Sequence, residues 1–475
     1  MYKDNQDTSS NEVDILKNHF EKIGKNINTN INRRIVNYNN SILYKYYANV
    51  FYFVPKHGLI KIDGGNHRGY LITPDHPFFI KDKKKDNTLK FTPKINTVIV
   101  PIDNISTEQN SRYLEITIDL KNDFEFDNLT IWIDPEFVKN NTMQAHSILK
   151  KILGSSKSSM LAEIYYNDKT KAVKEIVVSK LNFQIKSIET DIVNIHTPSL
   201  SSGFNVNIKN LFAYGNKEIN KIKIFLEADI KKDITVDLQS LLKVNLVPVF
   251  NSYNDYSYTI FADLHLSEVN LRHIQNTYAS PMSVLSIYEN NNKVELDGFF
   301  FKGQNEYYFN CKSRTLNYNT ILPRLTSEIE DTRVYAYALW TDAIDLSDFI
   351  KVSSNDISSI KCSITHLEMY DEITNYKMPL DAIFRLAERL HSKDILSKSL
   401  IDNILTILQF DKDTIQLILN QIEKIQLSKV DNRLHVTLTP RFSKRQKPLL
   451  NFMIGIICGF INRNSSIYIK NFIFN

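Results

Sequence analysis

Residues 244–253 read Val244-Asn245-Leu246-Val247-Pro248-Val249-Phe250-Asn251-Ser252-Tyr253 and are the most informative segment of the chain. The apolar residues of this segment suit a pleated backbone that is buried or half-buried. Proline has no N–H to donate to a ladder, so Pro248 is expected at a sheet edge or a bulge. Asn251 opens a polar break and predicts the strand exit, in a turn conformation that a β-branched residue would not tolerate.

Other runs with the alternation of strands surround this segment on both sides. Up to residue 198 the predicted strands are 59–62, 98–100, 114–118, 129–133 and 176–178, interrupted by one predicted helix at 142–153. From residue 204 to residue 363 the clearest predicted strands are 284–288, 299–301, 307–309 and 334–340. Both regions are therefore expected to be rich in β-structure.

After Pro379 the apolar residues recur with a helical period. The predicted elements are helices at 380–390, 395–410 and 414–425, a strand at 434–438, an apolar segment at 449–461 and a final strand at 467–474. The apolar segment is shorter than the roughly 20 residues that span a bilayer. It predicts a buried packing helix, with membrane contact as the alternative.

These patterns predict an α+β fold with several domains. The expected division is an N-terminal helical arm at 1–50, a β-rich domain at 51–200, a second β-rich domain at 201–372 and a helical or mixed C-terminal domain at 373–475. The last domain ends in a strand-helix-strand. The whole chain has 475 residues, which is ample length for buried cores.

The N-terminal arm carries an apolar stripe with three- and four-residue spacing. Its members are Val13, Leu16, Phe20, Ile23, Ile27 and Ile31. The weak helix formers Gly24, Asn26, Asn28, Thr29 and Asn30 make this a poor helix by itself, so packing must stabilise it. The stripe fits either a helix lying on its own domain or a bundle with helices of partner chains.

The order of residues in 244–253 resembles the Leu-Asn-Cys-Val-Pro-Val-Val-Asn-Leu-Phe signature of the TssF family (VasA/ImpG), baseplate subunits of the type VI secretion system. Three further segments at 89–102, 210–226 and 448–467 are similar to family motifs and follow in the family's order. Asn245, Pro248, Asn251 and Tyr253 are the signature positions, which we interpret as structural. The family's N-terminal motifs are not recognisable, which makes the chain a divergent member.

The resemblance implies a structural role and a set of partners. Two such chains would join one TssG-like subunit in a wedge, beside TssK-like and TssE-like baseplate proteins and around a VgrG-like spike. The wedges would support sheath assembly and contraction. The expected location is the cytoplasm, in a baseplate docked at the inner-membrane complex.

Composition agrees with a protein that works by contact with other proteins. Lys and Arg number 58 against 53 Asp and Glu, and this small, scattered excess does not predict nucleic-acid binding. The three cysteines, Cys311, Cys362 and Cys458, are far apart and predict reduced thiols in a cytoplasmic protein. No signal-peptide pattern or membrane-inserting span is predicted.

Enzyme-like residues are few and have ordinary explanations. His57, Asp63, His67, Asp75 and His76 match no metal-ligand spacing, and no metal or other cofactor is predicted. Asp342, Asp345 and Asp348 are expected to be helix-start or loop aspartates rather than paired catalytic carboxylates. We therefore expect that this chain has no enzymatic activity.

One alternative function belongs to a different class. The two β-rich regions, with Trp132 and Trp340 taken as exposed, would also suit a carbohydrate-binding or adhesin-like protein. Such a protein would be a stable monomer or simple oligomer, whereas a wedge subunit would need its neighbour.

Overall fold

The structure is a computed structural model that describes most of the chain from residue 54 onward. The described residues are 54–63, 67–82, 88–110, 113–154, 160–183, 193, 196–211, 218–230, 238–262, 268–297, 300–303, 305–310, 314–320, 332–343, 349–354, 363–370, 398–407, 412–430, 433–440, 457 and 469–474. The predicted N-terminal arm with its apolar stripe, the helix at 380–390, all of segment 449–461 but residue 457, and the three cysteines lie outside them.

Six antiparallel strands, numbered along the chain, form what we name the central sheet. In sheet order they are β25 (Phe349–Ser353), β3 (Phe78–Asp82), β4 (Thr88–Pro93), β14 (Leu246–Phe250), β1 (His57–Asp63) and β26 (Ser363–Tyr370). Every residue of β14 is buried, as its apolar run predicts. The apolar core of the central sheet includes Ile60, Phe78, Phe91, Val247 and Val249. A separate pair joins β2 (Tyr70–Ile72) to β5 (Thr97–Ile99).

Pro248 lies inside this sheet, so the expected edge position is wrong. The N–H of Ile62 donates to the carbonyl of Asn245, and pairs in an antiparallel ladder alternate between bonded and non-bonded. The pair Leu59–Pro248 is therefore non-bonded, and the proline nitrogen faces β4. Because β4 ends at Pro93, opposite the residue after Pro248, the missing N–H leaves no carbonyl of β4 unpaired.

Eight antiparallel strands form what we name the large sheet. In order they are β13 (Leu242–Lys243), β8 (Asn128–Ile133), β11 (Gly203–Ile208), β10 (Lys171–Lys180), β9 (Met160–Tyr166), β12 (Ile219–Leu226), β7 (Tyr113–Leu120) and β6 (Ile102–Asn110). Helices α1 (Pro135–Asn140) and α2 (Thr142–Gly154) share its apolar core. The sheet takes strands from both sides of residue 200, where the sequence predicts a boundary between two β-rich domains.

Two further sheets lie between residues 253 and 342. The tyrosine sheet, named for its side chains, has the order β15 (Tyr253–Tyr256), β24 (Thr332–Asp342), β18 (Ala279–Glu289) and β19 (Asn292–Lys293), and β16 (Ile260–Ala262) also pairs with β24. The other sheet has the order β17 (Glu268–Asn270), β23 (Thr315–Thr320), β22 (Asn305–Asn310), β21 (Phe300–Lys302) and β20 (Glu295–Asp297). The prediction that residues 51–200 and 201–372 are rich in β-structure is confirmed.

Two helices and a three-stranded sheet make up the described C-terminal region. They are α3 (Lys398–Ile407), α4 (Lys412–Gln421), β27 (Ile422–Val430), β28 (Arg433–Pro440) and β29 (Ile469–Phe474). The helix predicted at 414–425 is too long, because residues 422–430 pair with β28 across a two-residue connection. Among the described residues, no helix is long and apolar enough to cross a membrane.

Both tryptophans are buried, which corrects the expectation that they are exposed. Trp132 in β8 and Trp340 in β24 each have a relative exposure of 0%. Gly203 makes room for the first, since a Cβ at residue 203 would lie 2.9 Å from the Trp132 ring. The indole N–H of Trp340 donates to the carbonyl of Asp255 at 2.9 Å. Neither side chain is available to stack on a sugar.

Candidate functional site

The signature residues at the two ends of β14 are buried polar side chains. Asn245 precedes the strand with a φ of 63°, in the left-handed region that asparagine tolerates better than most residues. Its Nδ2 donates to the carbonyl of Val100 at 2.9 Å, and its Oδ1 accepts the N–H of Val100 at 2.7 Å. Asn245 therefore fixes the chain after β5 to the start of β14.

Asn251 follows β14 and makes four side-chain hydrogen bonds. Its Nδ2 donates to the carbonyl of Lys90 at 2.9 Å and to Oδ2 of Asp342 at 2.8 Å. Its Oδ1 accepts the hydroxyl of Thr341 at 2.8 Å and the N–H of Asp342 at 2.7 Å. This use of every donor and acceptor explains why the residue can be 0% exposed.

The physical reason expected for Asn251 is therefore wrong in one respect. Asn251 is not among the described residues with positive φ, whereas Asn245 is. The turn-conformation argument applies to Asn245, and the requirement at Asn251 comes from the side-chain hydrogen bonds. Asn251 follows the last residue of the strand, as its polar break predicts, and Asn245 precedes the first.

Asp342 is the centre of what we name the junction network, formed by Asn251, Tyr253, Asn276 and Asp342 with the backbone of Lys90. Its Oδ2 accepts from Asn251 and from the N–H of Lys90 at 3.2 Å. Its Oδ1 accepts the hydroxyl of Tyr253 at 2.8 Å and Nδ2 of Asn276 at 2.7 Å. Four donors thus compensate a carboxylate that is 1% exposed.

The position of Asp342 corrects the sequence interpretation of a helix-start or loop aspartate. It is the last residue of β24, and the Nζ of the buried Lys56 donates to its main-chain carbonyl at 3.0 Å. Asp345 and Asp348 lie outside the described residues. Sequence reasoning missed Asp342 as the partner of Asn251, because a separation of 91 residues leaves no local signal.

Tyr253 connects the network to the tyrosine sheet. Its hydroxyl bonds Asp342 and accepts Nδ2 of Asn276 at 3.0 Å. Burial raises the pKa of the Tyr253 hydroxyl, and the neighbouring carboxylate of Asp342 raises it further. The ammonium of Lys90 lies 5.3 Å from the centre of the Tyr253 ring. The phenol therefore stays protonated and acts as a donor in the junction.

A second buried polar group, His57, lies nearby in β1. Its ring stacks between Phe250 and Tyr370, with ring centres 5.4 Å away on each side. Nδ1 donates to the carbonyl of Pro55 at 2.7 Å, and Nε2 lies 3.2 Å from the hydroxyl oxygen of Thr197. Burial lowers the pKa of His57 to about 4, so the ring is neutral at pH 7.

Three other enzyme-like residues, His67, His76 and Asp63, have structural contacts. Nδ1 of His67 accepts the N–H of Gly69 at 3.0 Å, and Nδ1 of His76 accepts the N–H of Thr73 at 3.0 Å. Asp63 forms an exposed ion pair with Lys61. Within the described ranges, no three His, Cys, Asp or Glu side chains group as metal ligands. These contacts hold the strands and turns in which the residues lie.

Comparison with known proteins gives matches at the level of fold. No family model and no curated protein matches the sequence. A chain of the type VI secretion system TssK-TssF-TssG baseplate subcomplex, solved by cryo-electron microscopy, matches with a TM-score of 0.67 and 9% identity, over 97% of this chain and 96% of that chain. A chain of the baseplate complex from the type VI secretion system matches with a TM-score of 0.51 and 10% identity, over 89% and 82%. The fold implied by the TssF resemblance is confirmed.

Proposed function

We propose that this chain is a TssF-like structural subunit of a type VI secretion baseplate and has no enzymatic role. The observation that carries the proposal is the likeness of fold over 97% of this chain and 96% of the baseplate chain. Length and architecture agree together, as expected for an equivalent subunit rather than a shared module. The TssF signature in the same chain favours TssF among the three proteins named in that subcomplex.

The signature residues support the architecture in this proposal. Asn245 and Asn251 are buried on either side of β14, and their polar atoms are used within the chain. Pro248 is buried in the same strand, and the hydroxyl of Tyr253 donates to the carboxylate of Asp342. The signature therefore maintains the junction between sheets, and partner contacts come from other surfaces.

The proposed partners follow from the resemblance and from the similar subcomplex. TssG-like and TssK-like chains are the first expected partners, because the matched structure contains both with TssF. A second copy of this chain, a TssE-like protein and a VgrG-like spike complete the proposed wedge surroundings. The subunit would work in the cytoplasm, in a baseplate docked at the inner-membrane complex, and its large interfaces would hold the ring until contraction.

Co-expression tests this proposal directly. The chain is produced with the TssG-like and TssK-like proteins of the same secretion system, and the purified complex is weighed by native mass spectrometry. We expect two copies of this chain with one TssG-like chain. A chain that purifies alone in every combination would refute the proposed function.

The N-terminal stripe is the proposed assembly element of this subunit. Phe20→Asp with Ile27→Asp places two charges on the stripe, at a cost of several kcal/mol if the seam is dry. We expect the complex to be lost while the circular dichroism of the β-sheets is retained. Asn18→Asp with Asn26→Asp adds the same charge off the stripe and is expected to assemble normally. Wild-type yield of the complex from the stripe variant would refute the bundle.

The carbohydrate-binding alternative loses the residues that motivated it. Trp132 and Trp340 are both 0% exposed. We therefore retain the baseplate role alone.

A further inference from the structure

The tyrosine sheet has one buried face and one exposed face. Along β24, Val334, Ala336, Ala338 and Trp340 alternate with residues that solvent reaches, and each of these four is at most 2% exposed. On the opposite face Arg333 is exposed, and Tyr335, Tyr337 and Leu339 are half-buried. A strand of large aromatic residues on a solvent-facing surface is costly unless something covers it.

Neighbouring strands extend the aromatic surface, and we name the whole the aromatic face. Tyr256 pairs with Tyr337, with ring centres 4.8 Å apart. Tyr288 pairs with Tyr335, with ring centres 4.9 Å apart and planes within 6°. Phe261 pairs with Arg333, is 54% exposed, and has the guanidinium carbon 6.0 Å from its ring centre.

The orientation of the rings suits protein side chains better than sugars. The parallel rings of Tyr288 and Tyr335 cover one another's faces, and the ring of Tyr256 is tilted by 57° and 62° to them. Ring faces that stack on one another are not available to a sugar, which needs flat ring faces turned toward solvent. Tyrosine and arginine are enriched in the energetic centres of protein interfaces.

The two charged side chains that the structure describes on the aromatic face are both basic. Lys293 pairs with Tyr288 and so lies on the same face as Arg333, near one end of the strip. Glu289 and Asp255 lie on the inner side, because they pair with the buried Val334 and Ala338. Among the described residues of these strands, the face carries no acidic side chain. The strip from Arg333 to Leu339 is about 20 Å long at the usual rise of a strand.

We propose that the aromatic face docks a segment of another protein chain in the assembly, with apolar side chains over the tyrosines and carboxylates opposite Arg333 and Lys293. The inference rests on the proposed function, since it places that chain within the baseplate. A second copy using the same face fits less well. In a two-fold pair, the described residues of the second copy's aromatic face would place no carboxylate opposite Arg333.

The face is anchored well enough to serve as a preformed docking surface. Tyr253 at the start of β15 and Asp342 at the end of β24 belong to the junction network, which ties both strands to the central sheet. A surface held in this way loses little conformational entropy on binding.

The test uses the co-expressed complex of the full chain with the TssG-like and TssK-like proteins. Arg333→Glu reverses the basic end, and Tyr256→Thr with Tyr335→Thr removes two rings while keeping good strand formers. Lys180→Glu and Tyr113→Thr make the matching changes at exposed positions of the large sheet. Thermal melts of each isolated variant first establish that the fold is retained.

We expect each face variant to weaken complex formation by about tenfold or more and both controls to bind as wild type does. A photo-reactive phenylalanine at position 337 should cross-link to a partner segment with apolar residues next to acidic ones. If wild type assembles and the face variants assemble with unchanged affinity, this inference alone is overturned. If wild type does not assemble, the proposed function is refuted and this inference with it. Cross-linking only to another copy of this chain would also overturn it.

Discussion

Replacing Asn251 by aspartate gives the sharpest test of the junction network. Asn251→Asp changes one NH2 group into an oxygen, and that position lies 2.8 Å from Oδ2 of Asp342 and 2.9 Å from the carbonyl of Lys90. Two donated hydrogen bonds are lost, and two carboxylates then face each other in a buried site. The two bonds accepted by the other oxygen of residue 251, from the hydroxyl of Thr341 and the N–H of Asp342, are retained.

The expected loss of stability is large and depends on pH. A hydrogen bond to a charged group contributes about 1.5–3 kcal/mol and a neutral one about 0.5–1.5, so we expect a loss of about 4 kcal/mol at pH 7 once the unpaired acceptors are included. Two carboxylates in contact raise the pKa of one of them, so the folded variant binds a proton that the unfolded chain does not. The deficit relative to wild type should therefore shrink by about 1.4 kcal/mol for each pH unit between pH 7 and pH 5.

Urea unfolding followed by tryptophan fluorescence measures this effect, because both tryptophans are buried and Trp340 lies two residues from Asp342. Asn251→Leu is the matched control, since it removes all four hydrogen bonds without adding a charge. Its deficit should be of similar size at pH 7 and the same at pH 5. Equal pH dependence of the two variants would refute the direct contact between residues 251 and 342.

Three further predictions concern buried or enzyme-like side chains. Burial lowers the pKa of His57 to about 4, against 6.5 in the unfolded chain, so the His57 contribution to stability is fully present above pH 6.5 and falls by about 3 kcal/mol as the pH drops from 6.5 to 4. His57→Phe, which suits the aromatic stack, should unfold with a shallower pH dependence in that range, and an unchanged slope would contradict the assignment. Asn245→Gly should lose the two bonds to Val100 but fit the positive φ, whereas Asn245→Val should lose the same bonds and also strain the backbone. The free energy of unfolding of Asn245→Val should therefore be lower by a further ~1 kcal/mol. Equal stability of the two variants would mean that the backbone at residue 245 is not strained. His67→Ala with Asp75→Ala should leave secretion intact, and loss of secretion with normal baseplate assembly would point to a chemical role.

Strand positions could be predicted because alternation is a local property. In β7, Leu114, Ile116 and Ile118 are buried and the residues between them are not, which is the pattern that the sequence shows. The helix predicted at 142–153 is helix α2. The pairing of strands could not be predicted, because β14 joins β1 and β4 across more than 150 residues and alternation carries no information on partners.

The candidate site was predictable only in part for the same reason. Asn251 stands out in the sequence because it interrupts an apolar run, and the structure places it at the end of that strand. Asp342 does not stand out, since an aspartate beside polar residues is ordinary at a loop or helix start. Its role depends on four donors that come from residues 90, 251, 253 and 276. Only the folded chain brings those groups together.

The junction network has a consequence for how force passes through this chain. Apolar contacts between sheets resist separation but tolerate sliding, whereas hydrogen bonds are directional and fix one arrangement. Asp342 ends the strand that carries Arg333, Tyr335 and Tyr337, and its donors come from β4, from the exit of β14 and from β15. A load applied to the aromatic face is therefore transmitted along β24 to a carboxylate that is held in place by the central sheet. The proposed docking surface would therefore have a rigid connection to the central sheet.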